Sequence, residues 1–204
     1  DLIKTACTHR SYLNEHRSTV KEHNERPEFL GDAVLELCVT DFLYNNFPDK
    51  PEGELTSWRA ALVKTESLAE LADELNIGQF LLMSRGEAKS GGRTRIALLA
   101  NMVESIIGAI YLDAGYSEAA RFIERNINSK LEAILKAGLH IDAKSHFQEV
   151  AQEKQGITPH YEVVSESGPD HDKTFEIAVY LGKKLWGKGK GNSKQTAQQA
   201  AASN

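Results

Sequence analysis

Residues 24–35 read Asn24-Glu25-Arg26-Pro27-Glu28-Phe29-Leu30-Gly31-Asp32-Ala33-Val34-Leu35, an acidic segment running into an apolar one. Asn24 suits a helix N-cap, and Glu25 suits the first turn, where free N–H groups and the helix dipole favour negative charge. Pro27 then takes the third helical position, where its missing N–H costs little. The segment predicts a helix that continues to about Asn45 and is ended by Phe47-Pro48. On that helix Glu25, Glu28 and Asp32 stand at i, i+3 and i+7, within about 60° of one another. Carboxylates stacked on one face repel each other. Two readings are open: a solvated acidic face, or a site at which a divalent cation neutralises the acids. Hard oxygen ligands suit Mg²⁺ or Mn²⁺. Phe29 lies on the same side, and an exposed Phe beside acids marks an interface, which weakens the solvated reading.

Around this segment, residues 1–137 read as almost all helical. A helix fits 53–74, with apolar Leu55, Trp58, Leu62, Leu68 and Leu71, and another fits 96–113, with Leu99, Met102, Val103, Ile106, Ile107 and Ile110. A fourth is expected from Ser117, a good cap, to about Lys136, and Ala137-Gly138 stops it. The stretch 84–95 reads as a loop rich in Gly and basic residues. Residues 138–143 sustain no period and read as a linker. The pattern then changes. Residues 144–155 are helical, 160–166, 173–181 and 184–189 read as strands, and 193–203 form an Ala- and Gln-rich helix. Phe175, Ile177 and Val179 alternate as a half-buried strand requires.

The chain has 204 residues, 41% of them hydrophobic, enough for one or two ordinary domains. It has no run of 18 or more apolar residues and no export signal is read, so no membrane span is expected. Cys7 and Cys38 have no metal-ligand spacing, and free thiols in a reducing cytoplasm fit best. The net charge of −5 falls entirely on the first 141 residues; beyond them lysines and carboxylates balance. No acid follows Glu176, whereas Lys183, Lys184, Lys188, Lys190 and Lys194 do. A basic end is attached to an acidic front.

The 24–35 segment resembles the signature of the ribonuclease III family, enzymes that cut double-stranded RNA, with Pro27 where that signature has Leu. Three further pieces are similar. Thr8-His9-Arg10-Ser11-Tyr12 is close to an early motif of the family; His9, read alone, is a structural histidine rather than a base. Glu52-Gly53-Glu54-Leu55 resembles a Glu-Gly element, although alone it is an ordinary helix start. Leu98-Leu99-Ala100-Asn101-Met102-Val103-Glu104 carries Asn101 and Glu104 on one helix face, with Asn101 where the family has Asp. The α-β-β-β-α order after residue 143 resembles a double-stranded RNA-binding domain.

The resemblance implies an all-α endonuclease domain over 1–137, a linker over 138–143, and a small α+β double-stranded RNA-binding domain over 144–204. It implies that Glu28, Asn101 and Glu104 ligate a divalent metal, with Asp32 at the site as a ligand or directly behind one. Glu28, Asp32 and Glu104 are the implied catalytic acids. Glu25 and Glu52 would support the substrate or a second metal. The implied cofactor is Mg²⁺, with Mn²⁺ able to substitute. Phe29 would pack into a partner subunit, so that a homodimer offers two sites, each cutting one strand and leaving 5′-phosphate and 3′-hydroxyl ends. The expected role is in RNA processing, of ribosomal and messenger RNA, in the cytoplasm.

For the RNA-binding part, Ser145, Gln148, Glu149 and Gln152 share one helix face suited to the wide minor groove of A-form RNA and its 2′-hydroxyls, although alone they read as a solvated face. Ser167-Gly168-Pro169-Asp170-His171 resembles a loop that enters a neighbouring minor groove, with His171 as the contact. Gly191-Asn192-Ser193-Lys194 opens the last helix, where Asn192, Ser193, backbone N–H groups and Lys194 attract phosphate. Lys188 and Lys190 are expected close by, and Gln195 stands where the family has a second Lys. Arg93 and Arg95 form a fourth expected RNA contact. The competing reading is a binding protein whose catalytic site is crippled at Asn101. A helical dimerisation scaffold is a third, disfavoured by the lysine-rich end. The first motif lies close to residue 1 and the chain stops inside its last helix, so terminal residues are expected to be missing.

Overall fold

The computed structural model describes residues 1–138, 143–169 and 173–204, and the front of the chain is almost wholly helical. Short α1 (Leu2–Ala6) and α2 (Arg10–Glu15) precede α3 (Glu25–Asn46), α4 (Glu52–Val63) and α5 (Thr65–Glu74). Then come α6 (Arg85–Lys89), α7 (Ile96–Ala114), α8 (Tyr116–Asn126) and α9 (Leu131–Lys136). These elements belong to a unit spanning Asp1–His140; a second unit spans Ile141–Asn204. Residues 139–142 of the expected linker lie outside the described residues.

Helices α3 and α7 form the centre of the first unit. They meet backbone to backbone at two glycines. A β-carbon on Gly31 would stand 1.8 Å from the Glu104 carbonyl oxygen, and one on Gly108 would stand 2.1 Å from the Pro27 carbonyl oxygen. Any side chain there would have to push the helices apart, an overpacking cost of roughly 3 kcal/mol or more. Around the crossing, Val34, Leu35, Val39 and Leu43 of α3 pack with Leu99, Val103 and Ile107 of α7. Trp58 and Leu62 of α4, Leu68 and Leu71 of α5, and Ile123 of α8 complete this core. By length and composition α7 could cross a membrane, but half of that stretch is buried inside the unit, where it serves as a core helix.

Two expected helices are broken. Lys64 is extended (φ −60°, ψ 152°) and divides 53–74 into α4 and α5. Leu71 lies nine residues past Leu62, roughly 180° round a straight helix. The break turns both into one core. The Ser67 hydroxyl, donating to the Ala61 carbonyl at 2.8 Å, fastens the turn. The helix expected over 117–136 ends at Asn126, and a 3₁₀ turn over Asn128–Lys130 leads into α9. Asn128 is buried there and its amide donates to Glu124 at 2.9 Å, the local side-chain bonding that draws Asn out of regular helix. Gly115 (φ 82°), not Ser117, caps α8. The expected loop 84–95 contains α6, capped by the Ser84 hydroxyl accepting from the Glu87 N–H at 3.1 Å. Ser84 with Glu87 three residues on is the spacing of a capping box, so that helix was readable in the sequence. Asn24 stands at the N-cap of α3 as expected, but its side chain makes no capping bond.

In the second unit α10 (Ala143–Gln155) precedes an antiparallel sheet of β1 (His160–Ser167), β2 (Thr174–Leu181) and β3 (Lys184–Gly191), in that order, and α11 (Lys194–Ser203) follows. Phe175, Ile177 and Val179 face inward, against Phe147, Ala197 and Ala201. Gly187, Gly189 and Gly191 alternate on the face of β3 that meets α11; a β-carbon on Gly189 would lie 2.1 Å from the Ala201 nitrogen. Strand alternation therefore sends Lys188 and Lys190 out of the opposite face.

Candidate functional site

The glycine crossing decides where the acids go. Glu28 and Asp32 flank Gly31 on α3. Asn101 and Glu104 lie one turn apart on α7, and the Glu104 carbonyl is the atom that Gly31 meets. Glu104 is half-buried, and its carboxyl is pushed up to about 7, first by loss of solvation and then by the charges of Asp32 and Glu28. Glu28 is also raised, by loss of solvation, then by Glu25 and Asp32; a hydrogen bond from the Asn101 side chain partly offsets this. Four of the sequence-expected residues, Glu28, Asp32, Asn101 and Glu104, thus act on one another, with Glu25 at the edge.

Every charge that perturbs Glu104 is negative. Half-buried carboxylates with no cationic neighbour are costly, and a divalent ion relieves the cost. The donors are carboxylate oxygens and one amide oxygen, a hard set that fits Mg²⁺ or Mn²⁺ and offers nothing to a thiophilic metal. Among the described residues no three His, Cys, Asp or Glu are drawn into a finished ligand cluster. Asn101 contributes in two ways. Its N–H group donates to Glu28, which leaves its carbonyl oxygen as a neutral donor.

The remaining expected residues take other places. Glu25 is engaged by Arg10 at 3.3 Å, with His23 Nδ1 3.9 Å away. Glu52 is exposed at the start of α4 and perturbs neither Glu28 nor Glu104. His9 is a structural residue: its Nδ1 bonds the Ser11 hydroxyl at 2.8 Å and accepts from the Ser11 N–H, capping α2. Burial is the first cause that lowers its pKa. Arg93 donates to the Gln79 carbonyl at 3.0 Å, and Arg95 pairs with Glu87. Phe29 is 82% exposed, so it is not a core residue of this unit.

In the second unit Ser145, Gln148, Glu149 and Gln152 are all exposed along α10. Ser193 caps α11 by accepting from the Thr196 N–H at 3.1 Å. Lys194 lies over the Phe175 ring and 3.4 Å from Glu166, and Lys190 lies 3.8 Å from Glu176. Lys188 and Lys190 are on the far side of the sheet from α11, so they do not join Lys194 in one cluster as expected from their closeness in sequence. Asn192 is exposed just before the cap. His171 lies outside the described residues.

A helical unit with a half-buried oxygen cluster, followed by an α-β-β-β-α unit with a basic end, defines a nuclease joined to a duplex-RNA-binding module. Residues 1–131 match the model of the Ribonuclease-III-like family, and residues 143–204 match that of the double-stranded RNA binding motif. The chain belongs to the ribonuclease III family and is an endoribonuclease of double-stranded RNA. It is 45% identical over 203 residues to Ribonuclease 3 of Listeria monocytogenes (strain HCC23), covering 99% of this chain and 88% of that protein. Ribonuclease 3 of Enterococcus faecalis is 47% identical over 203 residues, covering 99% and 87%. The nuclease domain of ribonuclease III from Campylobacter jejuni matches with a TM-score of 0.57 and 42% identity, covering 63% of this chain and 84% of that one. A second structure of that domain, described for flexibility in a region involved in dimer formation, gives 0.55 and 43%, covering 61% and 86%. Nothing in these relatives favours the crippled binding protein.

The two residues that set the crossing are not among the expected site residues. Gly31 and Gly108 sit in the middle of long helices, where glycine is unfavourable by roughly 1 kcal/mol; that cost was the available signal of close approach.

The raised Glu104 pKa gives a pH dependence. The folded unit binds this proton more tightly than the unfolded chain does. Its stabilisation is complete below the ordinary value of 4.5 and is lost as pH rises through about 7. In EDTA, the melting temperature of the nuclease unit should therefore fall across this window, and Mg²⁺ should raise it more above pH 7 than at pH 5.5. Glu104→Gln should flatten both trends. Parallel pH curves for the native chain and the variant would contradict the placement of Glu104.

Proposed function

We propose that the chain is a Mg²⁺-dependent homodimeric nuclease, with residues 1–137 as its catalytic domain and 144–204 as its RNA-binding domain. The observation that carries the reading is the pair of half-buried, uncompensated carboxylates Glu28 and Glu104, joined by exposed Asp32 and completed by Asn101. These four residues would hold Mg²⁺ or Mn²⁺. When bound, the cation supplies Lewis-acid chemistry, acidifying water and offsetting the charge that develops on the scissile phosphate. Glu28 and Glu104 are suited to hold it by their desolvation, and the Asn101 N–H keeps Glu28 oriented. Glu25, restrained by Arg10, borders the site without entering it, and Glu52 serves the substrate side. Water adds at phosphorus and the 3′-oxygen leaves, giving 5′-phosphate and 3′-hydroxyl ends.

The exposed face Ser145, Gln148, Glu149 and Gln152 suits the minor groove of A-form RNA, which is recognised by shape and 2′-hydroxyls. Lys194, Asn192 and Ser193 meet phosphate at the start of α11, His171 enters a neighbouring groove, and Arg93 and Arg95 add phosphate contacts, while Lys188 and Lys190, on the opposite face of the sheet, stand apart from these contacts. Exposure of Phe29 beside the acids supports an interface with a second copy, which brings two sites to one duplex. The free thiols Cys7 and Cys38 suit a reducing compartment such as the cytoplasm, where RNA is processed.

Cleavage of a long RNA duplex is the test. The native chain should cut with Mg²⁺ or Mn²⁺ and not in EDTA. Glu104→Gln should lose several kcal/mol of transition-state stabilisation, roughly a thousandfold in rate, and keep its duplex affinity. Retained Mg²⁺-dependent cutting would remove Glu104 from the site.

Phe29→Ala should lower the dimer's mass in dilute solution and weaken cleavage together with it. A variant that remains a dimer by light scattering at the lowest concentrations would refute the interface.

A further inference from the structure

Ser105 follows Glu104 on α7 and is completely buried. Its hydroxyl donates to the backbone carbonyl of Asn24 at 3.2 Å, a bond that spans 81 residues of sequence. The same carbonyl accepts the Glu28 N–H at 2.8 Å. One oxygen therefore receives the helix bond of one acidic residue and the hydroxyl next to another. Asn24, 3% exposed, is itself fixed from behind, because its N–H donates to the Thr8 carbonyl at 2.8 Å. Thr8 in turn bridges Leu82 and donates its hydroxyl to the Lys4 carbonyl at 2.6 Å.

The glycine crossing brings α3 and α7 together but is smooth. The two glycines carry no side chain that could interlock, so the crossing point itself makes no directional contact. A directional bond inside an apolar contact specifies one register among several that packing alone would allow. Register matters here because Mg²⁺ accepts oxygen ligands only near 2.0–2.1 Å in close to octahedral array. A slip of about 1 Å between the helices would leave the fold intact and spoil the ligand set.

We infer that Ser105 is a positioning residue, which acts through the Asn24 carbonyl to lock Glu104 in register with Glu28. The early Thr8 motif is the anchor of this lock. The inference rests on the reading of Glu28, Asp32, Asn101 and Glu104 as the cation site. It assigns no contact between Ser105 and the cation or the RNA.

The test uses the full chain with Ser105→Ala, Ser105→Cys, Ile107→Val and Glu104→Gln. Mn²⁺ binding is measured from the electron paramagnetic resonance signal of the free ion, and the Mg²⁺ midpoint from cleavage of a long RNA duplex. Ser105→Ala should weaken Mn²⁺ binding and raise the Mg²⁺ midpoint by about tenfold or more, the usual scale for losing a group that orients a ligand. Ser105→Cys, similar in size but a weaker donor, should fall between Ala and the native chain. Ile107→Val trims the same buried helix without touching the bond; it should lower the melting temperature and leave both metal readouts unchanged. Native Mn²⁺ binding in both Ser105 variants, or an equal shift in Ile107→Val, overturns the inference. If Glu104→Gln also binds Mn²⁺ like the native chain, the cation site itself is refuted. If Glu104→Gln loses binding while both Ser105 variants keep it, only the positioning role is.

Discussion

The contact of two helix backbones at Gly31 and Gly108 is the constraint on which the rest of the nuclease unit depends. A side chain at either position would separate α3 from α7. The acids on the two helices would then lie too far apart to share an ion. The same contact explains why the surrounding core is built from large aliphatic residues on both sides. They fill the space that opens as the helices diverge from the crossing. Packing and chemistry are thus linked through one feature, and neither glycine carries a functional group.

Bringing carboxylates together has an electrostatic cost. Loss of solvation is the largest single cause at both Glu28 and Glu104, and mutual repulsion adds to it. The cost is tolerable in a fold whose core lies beneath the acids, and the proposed cation would supply the counter-charge. Asn101 moderates the cost: an amide adds no charge of its own and donates to Glu28. It trades attraction for a cation against stability in the cation's absence. Local instability of this kind is common where a protein must bind a charged ligand.

Much of this was legible in the sequence. α4, α5 and α7 were legible from apolar residues recurring near the 3.6-residue period, and α3 from its acidic first turn and its Phe47-Pro48 stop. Alternation found the strands because the sheet has one covered face. The acidic cluster was legible because Glu25, Glu28 and Asp32 share a helix face and Asn101 shares one with Glu104. The breaks at Lys64 and Ile127 were not legible. Thr65 and Ser67 at one break and Asn126, Asn128 and Ser129 at the other are weak helix formers, but the apolar spacing runs on through both segments and hides the turns. Nor was the placing of Lys188 and Lys190. Closeness in sequence suggested one basic cluster with Lys194, but the glycines of β3 must face α11, so the lysines between them face away. The role of Ser105 depends on a carbonyl 81 residues away, which no local pattern reports.

The second unit repeats the strategy of the first with different residues: Gly187, Gly189 and Gly191 let α11 lie directly on β3. In both units a close backbone contact fixes a polar group of residues, here the start of α11, there the acidic cluster. The central claim is that the crossing presents an oxygen set to a hard cation with Asn101 as its neutral member. A Mg²⁺ titration of duplex cleavage by the native chain beside Asn101→Asp tests it most directly. A carboxylate adds a full negative charge within about 2 Å of the cation, so the variant should reach half-maximal cleavage at lower Mg²⁺. Superimposable curves would mean that position 101 does not touch the cation and would contradict the account.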